Sequence, residues 1–146
     1  MSYSMETLRK AIAAETAAKS GGVIAYRATG AYLAGEVGIR DVVLPETPDD
    51  AVAMTLYVLS DLIADGDTIF GLQFRSRART SSKLDAIEDA LMNCWSRRAG
   101  GTLDTVKLVQ SSWASGASLG QDGNDRKLRS MNFRLTVHRP NPNDNI

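Results

Sequence analysis

The sequence is poor in the residue types from which catalytic and metal sites are built. Among 146 residues there is one cysteine and one histidine, Cys94 and His138. A single thiol excludes an internal disulfide and a cysteine-rich zinc site, and it fits a chain made in a reducing cytoplasm. Net charge is also missing, because 17 basic residues balance 17 acidic ones. No global field is present of the kind that holds nucleic acid or an anionic membrane on a strongly basic domain. No apolar run approaches the roughly 20 residues needed to cross a bilayer. The stretch Met5 to Lys19 carries Glu6, Arg9, Lys10, Glu15 and Lys19, so it does not read as a secretion signal. A soluble chain without membrane contact is expected.

What is present is an ordinary globular composition, 43% hydrophobic and 23% charged. A chain of this length buries about two thirds of its unfolded surface. One domain over residues 1–146 is expected, with 139–146 a polar tail whose two prolines keep it out of a central strand.

Ser4 caps a first helix with Glu6 in its first turn, and Leu8, Ala11, Ile12 and Ala18 form a narrow apolar stripe that stops at Gly21-Gly22. Alanines bury little area per turn, so this helix is expected at the edge of the fold or against a neighbouring subunit. Val23 to Tyr26 reads as a short strand. A long connection follows through Gly30, Gly35, Gly38 and Leu44-Pro45-Glu46-Thr47-Pro48-Asp49-Asp50. Val52, Met54, Leu56 and Val58 then alternate with Ala53, Thr55 and Tyr57, the period of a strand, and Asp65-Gly66-Asp67 turns it. Phe70, Leu72 and Phe74 share one face of the next strand, while Gln73, Arg75, Arg77 and Arg79 fall on the other. Ser82 opens a second helix in which Leu84, Ile87, Leu91 and Trp95 recur at helical spacing, before Gly100-Gly101.

Leu103 to Trp113 and Met131 to Val137 read as two further strands. Between them Gly116 to Asp125 reads as an exposed hairpin arm, its Asp-Gly and Asn-Asp pairs supplying the turn. The order implies an α+β fold: a largely antiparallel four- to five-stranded sheet with an N-terminal helix and a second helix packed on one face, plus a projecting hairpin arm.

Candidate chemistry is thin. His138 lies on the polar side of the last strand with nothing marking it as a general base, and Cys94 sits on an apolar helix face as a small core residue would. Gly116 to Gly120 lacks the Gly-Lys-Ser/Thr ending of a phosphate-binding loop. Asp122, Asn124 and Asp125 lack the rest of a calcium loop. No catalytic residue, metal site or cofactor is therefore assigned. Arg75, Arg77 and Arg79 read either as a solvated strand end or as half of a subunit contact with Glu46, Asp49 and Asp50 of a neighbouring copy. Trp113 fits the core or an interface anchor.

Four segments together resemble a family of small phage proteins. They are Leu44 to Asp50 leading into an aliphatic strand, Gly71-Leu72-Gln73-Phe74-Arg75-Ser76-Arg77, Ser115-Gly116-Ala117-Ser118-Leu119-Gly120-Gln121-Asp122, and Leu135-Thr136-Val137-His138-Arg139-Pro140. The family is that of the tail terminators of long-tailed phages, also labelled minor capsid proteins. The resemblance runs from about the first helix to Pro140, and its most specific part is the segment in front of the last strand.

This resemblance implies a non-enzymatic virion protein at the head–tail junction, assembled from the host cytoplasm. It implies a homo-hexameric ring that caps the tail tube protein, stops tube growth and joins the head–tail connector (stopper or adaptor) protein. Genome DNA would pass through the lumen without specific binding. Interface residues expected on this basis are Arg75, Arg77, Arg79, Glu46, Asp49, Asp50, Trp113, Ser115, Leu119, Gln121 and Asp122. Two alternatives stay open: another neck protein, or a small α+β enzyme using His138 or Cys94.

Overall fold

Capping chemistry sets where both helices begin. In the computed structural model, which describes residues 4–62 and 66–138, Ser4 Oγ accepts the Thr7 amide at 3.0 Å and opens α1 (Met5–Ala18). A side-chain oxygen there satisfies an amide that the first turn leaves without a partner. Thr80, not Ser82, has that role for α2 (Ser81–Trp95), its Oγ1 accepting the Lys83 amide at 3.1 Å. After α1 the chain turns away through Gly21 and Gly22, at φ of 66° and 87°, a conformation that costs glycine little. The expected tail 139–146 lies outside the described residues.

The strands are β1 (Gly38–Asp41), β2 (Ala51–Leu62), β3 (Asp67–Ala78), β4 (Arg98–Ala99), β5 (Thr102–Leu103), β6 (Val106–Gln121) and β7 (Lys127–His138). They form one seven-stranded sheet in the order β1-β2-β3-β7-β6-β4, with β5 also paired to β6. The α+β class holds, but the sheet is wider than the four or five strands expected. It is also mixed, because β1 runs parallel to β2. Val23 to Tyr26 contributes only a single bridge, Ala25 to Gly38, and the added strand β1 comes from the glycine-bearing connection. Pairs as short as β4 and β5 leave no periodic signal in a sequence.

The hairpin arm differs in a more telling way. Segment 116–121 continues β6 and pairs with β7 from Gly116↔Met131 to Gln121↔Lys127. Strand β7 is itself paired to β3 over the same span, down to Ala78↔Lys127. The hairpin is present, but it lies within the sheet as its outer margin, and its turn is confined to 122–126.

Both helices cover one face. Phe70, Leu72 and Phe74 of β3 and Met131, Phe133, Leu135 and Val137 of β7 meet Leu84, Ile87, Leu91 and Trp95 of α2 in one buried cluster. Helix α1 joins it through Leu8, Ile12 and Ala13, so it packs within its own chain and not at the margin of the fold as its alanine content suggested. Trp95 locks the two helices together: its Nε1 donates to Thr16 Oγ1 at 3.0 Å, and Thr16 donates in turn to the Ile12 carbonyl at 2.7 Å. Burying an indole without such an acceptor would leave its N–H unsatisfied.

Candidate functional site

On the face away from the helices, the arginine row meets the acidic connection within a single chain. Arg75 and Arg77 stand opposite Ala53 and Ala51 of β2, and these small neighbours leave room for guanidiniums to lie across the sheet. Arg77 donates from Nε to the Asp49 carbonyl at 2.8 Å and from Nη2 to the Pro48 carbonyl at 2.7 Å. It is 3% exposed. Arg75 donates to the Val42 carbonyl. The Arg79 amide donates to Asp50 Oδ1 at 3.1 Å, and its guanidinium lies 3.4 Å from Asp49 Oδ2.

The pairing anticipated between copies is therefore made inside one copy. Arg77 is a buried strut for the 42–50 strap, which corrects its assignment as a surface contact. Burial pulls the Arg77 pKa down, as does repulsion from Arg126, while Asp122, Glu46 and Asp49 act the other way.

Arg126, which the sequence did not single out, is the centre of this cluster. Its side chain is 5% exposed. Nε donates to Asp122 Oδ2 at 2.7 Å, and Nη1 donates to the Glu46 carbonyl at 2.7 Å and reaches Asp49 Oδ1 at 3.4 Å. Nη2 lies 3.3 Å from Glu46 Oε1. The sheet places Arg126 at the hairpin turn, where Asp122 Oδ1 also accepts the amides of Asn124 and Arg126, each at 3.0 Å. Burial works against the Arg126 charge, but the bond to Asp122 and the Asp122, Glu46 and Asp49 carboxylates outweigh it and raise its pKa. Burial likewise opposes the Asp122 carboxylate, yet the two amides and the guanidinium hold its pKa below the ordinary value. The only signal in the sequence was the four-residue spacing of Asp122 and Arg126 across a turn.

The remaining interface candidates lie along the outer margin of β6. Trp113 packs edge-on against Phe133 at 5.8 Å between ring centroids and over Gly116, yet 42% of it stays exposed. It is thus part core and part surface. Ser115 accepts from Asn132 Nδ2 at 3.1 Å, and Leu119 is 47% exposed. Gln121 is exposed at the last rung.

Cys94 and His138 lie on opposite sides of the sheet. Cys94 is buried among the helices, where burial pushes its thiol up to about 11. His138 is exposed on the far face, with Nδ1 3.2 Å from Asp67 Oδ1. A cleft of about 540 Å³ between α1 and β1 includes neither residue. Three of its cations are already paired: Arg9 with Asp41, Lys10 with Glu6 and Arg27 with Glu36.

Residues 22–139 match the family model described as bacteriophage tail terminator protein. The chain belongs to that family. No curated protein matches it. Among solved structures, it resembles a chain of the virion of a native gene transfer agent particle, with a TM-score of 0.60 and 16% identity over 91% of this chain and 92% of the other. At that identity the likeness speaks for the fold. This tail terminator family member is accordingly a structural protein of a phage-type virion, and the strap, hairpin turn and β6 margin all fall within the matched span.

Proposed function

We propose that this protein closes the growing end of the phage tail tube. Copies join head to tail into a ring, hexameric by family resemblance, and one face of the ring matches the last ring of tube protein. The other face lacks the surface that tube subunits recognise. Addition stops there, and the connector (stopper or adaptor) protein docks in their place. The match to the tail terminator family over residues 22–139 carries this reading.

The work is steric and transforms no substrate. Repeated heterologous contacts that close under rotation yield a ring and not a filament. The protein sits at the head–tail junction, and genome DNA passes through the lumen without specific binding. The balanced charge of the chain suits that passage, since a lumen dense in lysine and arginine would hold phosphate. Within the proposed interface, Arg77, Asp49 and Asp122 shape the strap from inside. Arg75, Arg79, Glu46 and Asp50 present its outer surface, and Trp113, Ser115, Leu119 and Gln121 contribute from β6.

The test adds purified protein to polymerising tube subunits and images the products. Tubes of arrested length with a ring at one end are expected. Unchanged tube growth with no ring bound would overturn the reading.

A further inference from the structure

Two stretches at the margins of the sheet have no strand on their outer side among the described residues. Strand β1 covers β2 only from Ala51 to Met54, leaving 55–60 bare on its outer side. Strands β4 and β5 cover β6 only as far as Ser111, leaving 112–121 bare. Open amides and carbonyls in an extended strand are a template for another strand, and folded proteins ordinarily blunt such margins with lysine, proline or a covering segment. Neither 55–60 nor 112–121 contains a charged residue or a proline. Both instead expose large apolar side chains, Tyr57, Val58 and Leu59 on one and Trp113 and Leu119 on the other.

We propose that these two half-margins pair with each other between neighbouring copies, 112–121 of one against 55–60 of the next. The proposal rests on the ring reading above and names the surfaces that join it. Strand polarity requires the new pair to be antiparallel, because β2, β3, β7 and β6 alternate in direction across the sheet. With the middles of the two stretches aligned, Leu119 stands opposite Thr55 and Tyr57 opposite the small Ala117, so cross-strand neighbours fit without a clash of charge.

The positions of the two stretches also fit closure. Along the ladder Met54, Phe74, Met131 and Gly116, the middle of 112–121 is level with residues 53–54 of β2. The middle of 55–60 lies about four residues further along, a stagger of roughly 13 Å at ~3.3 Å per residue. Each copy adds four strands, roughly 19 Å at ~4.8 Å apiece. The strands therefore tilt by about 35°, inside the roughly 35–45° at which sheets close into barrels. Register shifts within β2 and β6 supply local bending. With two helices on one face, the helix-free face turns inward, carrying Thr55, Gln73, Ser115 and Asn132 together with Arg75 and the exposed Arg134 toward the lumen.

Cysteine pairs test this on assembled tails. Ala117→Cys is combined in turn with Thr55→Cys, Tyr57→Cys, Val58→Cys and Leu59→Cys, oxidised, and run without reductant. At least one pair is expected to give a ladder of covalent multimers, while Ala117→Cys alone gives monomer. The buried Cys94, its thiol pushed up to about 11, stays out of the reaction. Leu119→Lys is expected to reduce joined particles at least tenfold, and adding Thr55→Glu to restore them. Rings seen on tube ends without any cross-link or rescue would sink the pairing alone. Tube ends that carry no ring of the unsubstituted protein would sink the ring reading and the pairing with it.

Discussion

The hairpin turn 122–126 and the bare margin 112–121 are neighbours in the chain and opposites in chemistry. At the turn, Arg126 is surrounded by the carboxylates of Asp122, Glu46 and Asp49, and every strong donor has found an acceptor inside the same molecule. Along the margin there is no charge, the side chains apart from Gln121 are small or apolar, and nothing among the described residues pairs with the outer backbone. Charged groups conspicuous in a sequence are those most costly to leave unmatched in a folded chain, so the fold matches them internally. The inconspicuous Gly/Ser/Ala stretch is what remains available to a partner.

Arg77→Glu breaks this contrast hardest. A carboxylate facing the Pro48 and Asp49 carbonyls, in a site with 3% exposure, is expected to cost about 3–5 kcal/mol of folding stability, as for a buried ion pair broken on one side. Denaturant unfolding measures it, and a loss below about 1 kcal/mol would return Arg77 to the surface. Arg126→Met comes next. It removes charge-assisted bonds to Asp122 and Glu46 and is expected to cost about 2–3 kcal/mol in the same assay.

Acid offers a graded version of the same break. The Asp122 pKa is lowered in the folded state, so its contribution is fully present above the unfolded carboxylate value and is lost as pH falls through the folded one. Amide exchange in 122–126 is expected to accelerate below about pH 4, ahead of global unfolding, and to be flat from about pH 5 to 8. Exchange that rises with increasing pH beyond its intrinsic chemistry would give the wrong sign.

Arg79→Glu, at a half-solvated pair, is expected to change stability by less than about 1 kcal/mol. Smallest of all on folding is Leu119→Lys, expected within about 0.5 kcal/mol of the parent because the site is open to solvent. Its effect belongs to assembly alone. A large loss of monomer stability in Leu119→Lys would show that the margin is already occupied within the chain.

Much of the framework was legible because it rests on local chemistry. The alternation of Val52 to Val58, the shared face of Phe70, Leu72 and Phe74, and the helical spacing of Leu84 to Trp95 each announce an element before any tertiary contact is made. The cap at Ser4 is equally local. Strand β1 and the two-residue strands β4 and β5 were not legible, because each is extended only by virtue of the neighbour it pairs with. Helix α1 was placed too far out because its alanine stripe hides how completely Leu8 and Ile12 are buried against α2 and the sheet.

For the site, the sequence picked out Arg77, Arg79, Asp49 and Asp50 as partners between copies, and the fold brings them together within one chain, while Arg75 goes to the Val42 carbonyl. The sequence did not reveal Arg126, whose role depends on a turn bringing it over a strap about 80 residues away in the chain. Read alone, the sequence established the α+β class and the family, whereas the placing of Cys94 and His138 on opposite sides of the sheet came from the fold. Which charges are consumed and which strand margin is left bare was decided only in three dimensions. Pairing across the sheet joins residues far apart in sequence, and periodicity and composition carry no information about what lies beside a strand.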